Sequence, residues 1–401
     1  MVGMTEAPWL TIVGIGEDGV AGLSAAARTA LADAEIVTGA TRHLALAGEL
    51  RGAAEAWPVP FEDGIARLIG HRGKRVVMLA SGDPFWFGAG TSVTRHLAPG
   101  EWTAHPAPSS FALAAARLGW GLEDCTCLGL HAAPFGRLRP HIARGRRAIV
   151  LVRDGAAVGG LAAYLDAAGF GASVLHVLEA LGGPRERIRH TTAATMAFDD
   201  IAHPVAVGIV FEGASAVMPQ AGLSDDWFAH DGQITKSPIR AVTLAALAPK
   251  PGESLWDIGA GSGSIGISWL LAHPSTRAIA FEADPVRAGR IVDNAATLGV
   301  DRLVVVEGRA PECLETQACP DAVFVGGGLS EALLRALWPR IEQGARIVAN
   351  AVTLESEALL TQWQAAQGGS LMRIEVAQAV PIGTRRGWRT QFPVVQWTYP
   401  A

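Results

Sequence analysis

A glycine-rich turn directly after an apolar segment carries the clearest chemical signal in this sequence. The segment 255–258 is apolar except for Asp257, and Gly259, Gly261 and Gly263 follow it before an apolar helical stretch. Glycines let a backbone turn tightly and approach a ligand, and the N–H groups at the start of a helix attract polar ligand atoms. The sequence therefore predicts a buried strand, a tight turn and a helix that together face a ligand.

An acidic residue follows the next predicted strand at the spacing that a nucleoside site needs. Glu282 comes directly after the apolar run 278–281, a little over twenty residues beyond Gly259. In a doubly wound sheet an acid at this spacing reaches a ribose hydroxyl. The alternative is a structural corner with a surface glutamate. The predicted ligand contacts are Asp257, Gly259, Ala260, Gly261, Gly263, Glu282 and Ala283.

A second glycine-rich loop lies near the N-terminus, after the predicted strand 9–13. It reads Gly14-Ile-Gly-Glu-Asp-Gly19, but no acid follows the next strand, and Glu35 precedes that strand. This placement disfavours a dinucleotide site. A loop that contacts a ligand through its backbone, at Gly16, stays open.

Composition limits the class of protein. A chain of 401 residues is too long for one ordinary core, so we expect at least two domains. Hydrophobic residues make up 49% and charged residues 18%, which is typical of packed α/β layers, and the net charge of −5 argues against a nucleic-acid surface. The four cysteines have neither metal-site nor disulfide spacing, and no run is long and apolar enough for a membrane span. We expect a reduced, cytoplasmic setting without a signal segment.

The order of apolar runs predicts the organisation of the chain. Beyond residue 231, strands alternate with helices, which predicts a mostly parallel, doubly wound sheet with helices on both faces. Between 212 and 231 the periodicity is lost and Gly, Pro, Ser and Asp accumulate. We predict a first domain at 1–213, a linker at 214–230 and a second domain at 231–401.

Several motifs carry a resemblance to known families. The C-terminal half resembles Rossmann-like S-adenosylmethionine methyltransferases and, among them, the decarboxylating half of cobalamin-pathway enzymes. Its marks are the turn with Glu282, then Gln233–Arg240, Glu307-Gly-Arg-Ala-Pro-Glu312, Val325-Gly-Gly-Gly328 and Asn350–Ser356. The N-terminal half resembles the tetrapyrrole methylases through Val13–Gly19, Ser81-Gly-Asp-Pro-Phe-Trp-Phe-Gly88, Pro108–Ala114 and Glu179–Pro184.

The resemblance implies two binding sites for S-adenosylmethionine, with S-adenosylhomocysteine as product. Tetrapyrrole methylases hold the donor between two α/β lobes without a ribose acid. This implies N-terminal contacts at Gly16, Ser81, Gly82, Asp83, Ser109 and Ser110, and further C-terminal contacts at Gly308 and Ala310. Two departures stand out: Glu17-Asp18 occupies a place where such methylases often carry Gly-Pro-Gly, and Arg309 replaces an acid.

The two halves in tandem imply methylation of a corrin precursor at C-5 and C-15, with loss of carbon dioxide from the ring-C (C-12) acetate. The N-terminal domain is assigned C-5, and the C-terminal domain C-15 and the decarboxylation. Positioning should dominate this chemistry, because the bridging carbon is nucleophilic and the sulfonium electrophilic. Accordingly, no nucleophile constellation is visible, the catalytic residues stay unknown and no metal is expected.

A corrin precursor bears many carboxylates, which arginine and lysine recognise. We predict this role for Lys236 and Arg240 and, more weakly, for Arg385, Arg386 and Arg389 in a late glycine-containing turn. Among the histidines, His131 is the one to test. Asp83 could contact a ligand or cap its own turn.

Three alternatives stay open. A nicotinamide dehydrogenase could use the same glycine loop, but no acid–base pair is visible. A nucleic-acid methyltransferase would need an Asn/Asp-Pro-Pro-Tyr-like run after 322–325, where this chain has glycines. The N-terminal half could bind without catalysing. We further expect a homo-oligomer with a small-molecule substrate, acting on neither nucleic acid nor membrane.

Overall fold

The computed structural model describes residues 8–213 and 222–400. Two compact units divide these residues. The first holds 8–133 and 143–213, and the second holds 134–142 and 222–400. The mixed α/β class predicted from the sequence is confirmed.

The first unit begins with a five-stranded parallel sheet in the order β3-β2-β4-β1-β5. Its central strands are continuous apolar runs, as expected for strands covered on both faces. The elements are β1 (Leu10–Ile15), α1 (Ala25–Asp33), β2 (Ile36–Gly39), α2 (Thr41–Ala47), β3 (Ala53–Ala56), α3 (Phe61–Ile69), β4 (Val76–Ser81), α4 (Ala89–Thr94) and β5 (Trp102–His105).

A second five-stranded sheet completes the first unit, in the order β6-β7-β10-β8-β9. Only β6 and β7 pair in parallel, and the other neighbours are antiparallel. The elements are α5 (Ser110–Leu118), β6 (Cys125–Gly129), β7 (Arg147–Leu151), α6 (Gly155–Leu165), β8 (Val174–Glu179), β9 (Arg187–Thr192) and β10 (Val205–Val210). Two sheets in one unit agree with the two lobes implied by the resemblance.

The second unit is built on a seven-stranded sheet in the order β13-β12-β11-β14-β15-β19-β16. The first five strands are parallel. β19 runs antiparallel to β15 and β16 antiparallel to β19, so β19 alone of the seven runs in the opposite direction, and the prediction of a mostly parallel sheet is confirmed. The elements are α7 (Ser237–Leu247), β11 (Ser254–Ile258), α8 (Ser264–Ala272), β12 (Arg277–Glu282), α9 (Pro285–Thr297), β13 (Val304–Glu307), β14 (Ala322–Val325), α10 (Glu331–Glu342), β15 (Arg346–Ala351), α11 (Leu354–Gln367), β16 (Ser370–Ile374), β17 (Ala377–Ile382), β18 (Arg385–Thr390) and β19 (Val394–Tyr399).

Successive side chains of the central strands enter two separate cores, because a strand alternates its side chains between the faces of a sheet. Leu255 packs with residues of α7, α8 and α9, whereas its neighbour Trp256 packs with residues of α10 and α11. The sheet is therefore covered by helices on both faces, which leaves its carboxyl edge as the place for a ligand.

Two segments differ from the sequence-based expectation. Pro134–Ile142 belongs to the second unit, where Leu138 and Ile142 are buried and Arg137 forms an ion pair with Asp301 at 2.8 Å. Of the predicted linker, 214–221 lies outside the described residues, while Leu223 and Phe228 are buried in the core of the second unit. The exact domain boundaries stay predictions.

No helix within 8–213 or 222–400 is both long and apolar enough to cross a bilayer.

Candidate active sites

The glycine turn of the second unit adopts the backbone that the sequence predicts. Gly259, Gly261 and Gly263 have φ angles of +67°, +60° and +74°, in the left-handed region. A Cβ atom on Gly259 would lie 2.5 Å from the carbonyl oxygen of Gly327, which follows β14. Glycine at position 259 therefore permits both the turn and the close approach of two loops at the carboxyl edge of the sheet.

Glu282 lies against this turn, as its spacing predicts. Its Oε2 atom accepts a hydrogen bond from the Gly261 N–H at 2.8 Å, and its Oε1 atom accepts one from the Asp284 N–H at 3.0 Å. The residue is 7% exposed. Two backbone donors thus fix the carboxylate beside the glycine turn, where an acceptor for ribose hydroxyls would be needed.

Asp257, in β11 just before the turn, is bonded to the helix that follows the turn. Its Oδ2 atom accepts a hydrogen bond from the Gly266 N–H in α8 at 2.8 Å. Burial raises the pKa of this carboxyl to about 7; the Gly266 N–H opposes the shift and the nearby Glu282 charge adds to it. Among the described residues, its Oδ1 atom and the buried Ser262 hydroxyl have no hydrogen-bond partner. Both atoms are buried, so a ligand at the turn would have to use its backbone groups and Glu282.

The other predicted contacts lie at the same edge of the sheet. Ala283 directly follows Glu282 and is exposed. The Gly308 N–H donates to the Glu282 carbonyl at 2.9 Å, which brings the loop after β13, including Ala310, next to β12. Arg309 is exposed. The structure thus brings the predicted C-terminal contacts together, and their role in binding stays a prediction.

Asn294 on α9 is a site residue that the sequence reasoning missed. Its amide pairs with both backbone groups of Ala229, at 2.8 and 3.0 Å, and also donates to the Ser262 carbonyl at 2.9 Å. It is 4% exposed. Asn294 therefore ties the glycine turn to the segment before α7. A polar residue in the apolar stripe of α9 was the available signal.

Arg240 requires a correction. It is fully buried and donates hydrogen bonds to Asp225 at 3.2 Å, to the Thr235 carbonyl at 2.8 Å and to the Leu223 carbonyl. Its guanidinium also lies over the Phe228 ring. With its donors directed at the protein, Arg240 anchors the segment before α7 and is not available for a substrate carboxylate.

Lys236, in contrast, keeps access to solvent. Its side chain is 40% exposed and its Nζ atom lies 3.8 Å from Asp225. The segment that carries it contacts the glycine turn, since a Cβ on Gly261 would lie 3.6 Å from the Gln233 carbonyl oxygen. Lys236 therefore stays a candidate for a substrate carboxylate.

The late arginines lie in a strand and not in the predicted turn. Arg385, Arg386 and Arg389 belong to β18, which pairs with β17 in a two-stranded antiparallel hairpin, and all three are exposed. The turn is confined to the residues around Gly383, which has a positive φ. None of the described contacts links these arginines to the glycine turn.

A second candidate site lies in the first unit, where the loops after β1, β4 and β5 meet. The Gly82 N–H donates to the Ile15 carbonyl at 3.1 Å, and the Gly82 carbonyl accepts from the Ala107 N–H at 3.1 Å. A Cβ on Gly14 would lie 1.9 Å from the Gly82 carbonyl oxygen, so only glycine allows these loops to pack. A cavity of about 700 Å³ opens here, and its lining includes Gly16, Ser81, Gly82, Asp83, Ser109 and Ser110.

Two of these side chains are committed to their own turns. Asp83 Oδ1 accepts from the Phe85 N–H at 2.8 Å, and Ser109 caps α5 by accepting from the Ala112 N–H at 3.1 Å. Trp86 and Phe87 line the cavity and remain partly exposed, so the aromatic residues after the turn form a wall and not a core.

Ser81 contacts a histidine and an arginine at the cavity. Its hydroxyl lies 2.8 Å from Nε2 of His43, and it accepts from Arg42 at 2.8 Å. Burial, assisted by the Arg42 charge, lowers the pKa of His43 to about 4, so this imidazole is neutral at neutral pH. His131 also lines the cavity and is exposed.

Groups of three or more side chains placed to ligate a metal are absent from the described parts of the chain.

Both units match families of known proteins. Residues 9–197 match the family of tetrapyrrole (corrin/porphyrin) methylases, and residues 226–400 match the precorrin methyltransferase domain. Fold and sequence thus define the chain as two methyltransferase domains in tandem.

Relatives of full length specify the family. A Sinorhizobium protein named precorrin-6Y C(5,15)-methyltransferase (decarboxylating) is 48% identical over 398 residues, which is 98% of this chain and 96% of that protein. A protein of the same name from Mycobacterium tuberculosis strain H37Rv is 41% identical and covers 97% and 99%. The chain therefore belongs to the family of precorrin-6Y C(5,15)-methyltransferases (decarboxylating).

A shorter relative matches less than half of the chain. A Pyrobaculum calidifontis protein named probable cobalt-precorrin-6B C(15)-methyltransferase (decarboxylating) is 35% identical over 185 residues, 44% of this chain and 93% of that protein.

Proposed function

We propose that this chain methylates precorrin-6Y at C-5 and C-15 with S-adenosylmethionine and removes the ring-C acetate carboxyl as carbon dioxide. The observation that carries this proposal is the 48% identity to a relative of that name over nearly the full length of both chains. The two candidate sites, one in each unit, supply the places for two methyl donors.

The second unit suits a nucleoside with a ribose. Glu282 presents a carboxylate fixed at the glycine turn, 2.8 Å from the Gly261 N–H. A carboxylate accepts hydrogen bonds from ribose hydroxyls, and the glycines allow the methyl donor to approach the protein backbone closely. When bound, the donor supplies an electrophilic methyl group. The residues named here hold it and contribute no nucleophile.

The first unit suits a donor held without a ribose acid. Its cavity of about 700 Å³ is within the size range of small-molecule sites, and its lining includes Gly16 of the loop after β1 and Gly82 of the loop after β4. Backbone N–H and C=O groups can recognise the donor directly. This arrangement supports a second donor site that differs in kind from the first.

The chemistry of both transfers requires positioning above all. The bridging carbon of the macrocycle is enamine-like, so the site must align carbon, methyl and sulfur and exclude water. Loss of carbon dioxide leaves an electron pair that the conjugated macrocycle can accept, so the protein needs only to orient the acetate carboxyl. Lys236 is our candidate for contact with a substrate carboxylate in the second unit.

We assign C-15 methylation and decarboxylation to the second unit and C-5 methylation to the first. The shorter Pyrobaculum relative supports a division, because a protein about as long as one unit carries a name limited to the C-15 reaction.

Mass spectrometry of the purified chain acting on precorrin-6Y tests the whole proposal. With a donor whose transferable methyl is deuterated, the product should gain two labelled methyl groups and lose one carboxyl group. A product with no label, or with label and every carboxyl retained, would contradict the proposal.

Substitution in the second unit tests the division. Glu282→Ala should abolish labelling at C-15 and the decarboxylation while C-5 labelling persists, and the control Asp293→Ala, which removes an exposed carboxylate of α9, should leave all three events intact. Loss of C-5 labelling alone in Glu282→Ala would reverse the assignment.

The predicted homo-oligomer also stays a proposal. Exposed apolar residues on and beside the β17–β18 hairpin, at Ile382, Trp388 and Phe392, are candidates for burial against another copy. Light scattering behind size exclusion should give a mass above that of one chain, and a monomer would contradict it.

A further inference from the structure

A buried carboxylate holds two arginines beside the cavity of the first unit. Glu17, in the loop after β1, forms ion pairs with Arg42 of α2 and with Arg185 of the loop between β8 and β9, the latter at 2.9 Å. The Glu17 side chain is 7% exposed, whereas the Arg42 and Arg185 side chains are 31% and 60% exposed. Both Glu17 and Arg42 line the cavity.

Glu17 stands in the loop Gly16-Glu-Asp-Gly19, which departs from the Gly-Pro-Gly that tetrapyrrole methylases often carry. A buried carboxylate is costly unless it is paired. Here the pairing joins loops from the two sheets of one unit, 168 residues apart in sequence. The pairing with two arginines therefore compensates the burial of Glu17.

Charges of both signs surround the cluster. Two guanidinium groups face the one carboxylate of Glu17, and the adjacent histidines do not add charge at neutral pH, because burial, then the Arg42 charge, lowers the pKa of both His43 and His203. Asp83, on the opposite loop of the cavity, adds a second carboxylate, and Asp154 is paired with Arg153. The charges nearly balance, so recognition of an anion would depend on the open guanidinium of Arg185.

The two arginines differ in their freedom to bind one. Arg42 donates to Glu17, to Ser81 at 2.8 Å and lies 3.1 Å from His43, so its fork is largely committed. Arg185 donates to Glu17 through its Nη2 atom, and more than half of its side chain is exposed to solvent. An arginine fork oriented by a buried anchor and still open matches the planar shape of a carboxylate.

We propose that Arg185, which Glu17 orients, forms a carboxylate subsite beside the cavity that Glu17 and Arg42 line in the first unit. Its ligand is an acetate or propionate side chain of the tetrapyrrole. This subsite rests on the proposed function of the first unit, where a polycarboxylate macrocycle must be held over the donor.

Binding of uroporphyrin I, an octacarboxylate tetrapyrrole, to the full chain tests this subsite by porphyrin fluorescence. Arg185→Ala should raise the dissociation constant by about tenfold. Arg185→Lys, which keeps the charge but not the fork, should give an intermediate value. The control Arg144→Ala removes an exposed arginine of the same unit, paired with Glu212, and should bind as the unsubstituted chain does.

Two further measurements separate the outcomes. The thermal midpoint of Arg185→Lys should equal that of the unsubstituted chain, and S-adenosylhomocysteine should bind Arg185→Ala with unchanged affinity. Equal porphyrin affinity for Arg185→Ala and Arg144→Ala would overturn the subsite, as would absence of porphyrin binding by the unsubstituted chain. Failure of the proposed function would show differently, as absence of labelled methyl transfer to precorrin-6Y.

Discussion

Replacing Glu282 by glutamine tests the proposed contact between this carboxylate and the ribose hydroxyls, which we call the ribose clamp. The substitution exchanges one carboxylate oxygen for an NH₂ group. In the structure, both carboxylate oxygens accept backbone hydrogen bonds, from the N–H groups of Gly261 and Asp284. Glutamine has the same shape but offers one acceptor oxygen and one NH₂ group. One of the two backbone N–H groups must then face another donor.

The expected loss follows from these contacts. Leaving a buried donor unsatisfied costs about 1–3 kcal/mol, and bonds to a charged acceptor are stronger than those to a neutral amide. If this cost arises only when the ligand is bound at the glycine turn, the affinity for S-adenosylhomocysteine should drop by about 5- to 150-fold, since 1.4 kcal/mol corresponds to a factor of ten.

Isothermal titration of the full chain with S-adenosylhomocysteine measures this loss. The unsubstituted chain should show two sites, and in Glu282→Gln one of them should weaken by this factor while the other is unchanged. Thermal unfolding should confirm that the second unit stays folded. Two unchanged sites, or equal weakening of both, would refute the clamp.

Three further predictions concern stability, its pH dependence and metals. Arg240→Met should lower the free energy of unfolding of the second unit by about 1–3 kcal/mol, because the carbonyls of Leu223 and Thr235 lose a buried donor. Lys236→Ala should leave the thermal midpoint unchanged and raise KM for the corrinoid, and similar midpoints for both variants would be contrary to our account. Burial raises the folded-state pKa of Asp257 to about 7, so its contribution to the free energy of unfolding should fall by no more than about 4 kcal/mol as pH rises from about 4 to 7. Asp257→Asn should remove this pH dependence in a series of urea unfolding curves. A pH dependence that persists in the variant would show another origin. Treatment with a chelator should leave both methyl transfers and the decarboxylation intact, and activity lost to the chelator and restored by a divalent metal would contradict a decarboxylation driven by the macrocycle.

The glycine turn and Glu282 could be predicted from the sequence because their geometry depends on local spacing. A strand, a turn of glycines and a following strand fix the distance between the turn and the acid, whatever the rest of the chain does. The loops of the first unit were reached differently, because Ser81 and Ser109 were implied by the resemblance to tetrapyrrole methylases and not by spacing.

Arg240 and the Glu17 cluster could not be predicted in this way. Arg240 is buried because Leu223 and Asp225, in a stretch without periodicity, fold back on it. Arg185 meets Glu17 across 168 residues of sequence. Such long-range pairs leave no periodic or spacing signal. The sequence therefore shows that an arginine is charged but not which residue it pairs with.

The β17–β18 hairpin was missed for a different reason. Both strands are largely exposed, so neither has a buried apolar face that a sequence pattern could reveal. The glycines at 383 and 387 favoured a turn over a strand. Pairing between the two strands, and not burial, defines this element.

The number of methyl-donor molecules bound per chain tests our central claim most directly. Equilibrium dialysis of the purified full chain against saturating labelled S-adenosylhomocysteine should give two bound molecules per chain, one of which is lost in Glu282→Ala. One bound molecule per chain, absent in Glu282→Ala, would show that the first unit holds no donor and would contradict the account.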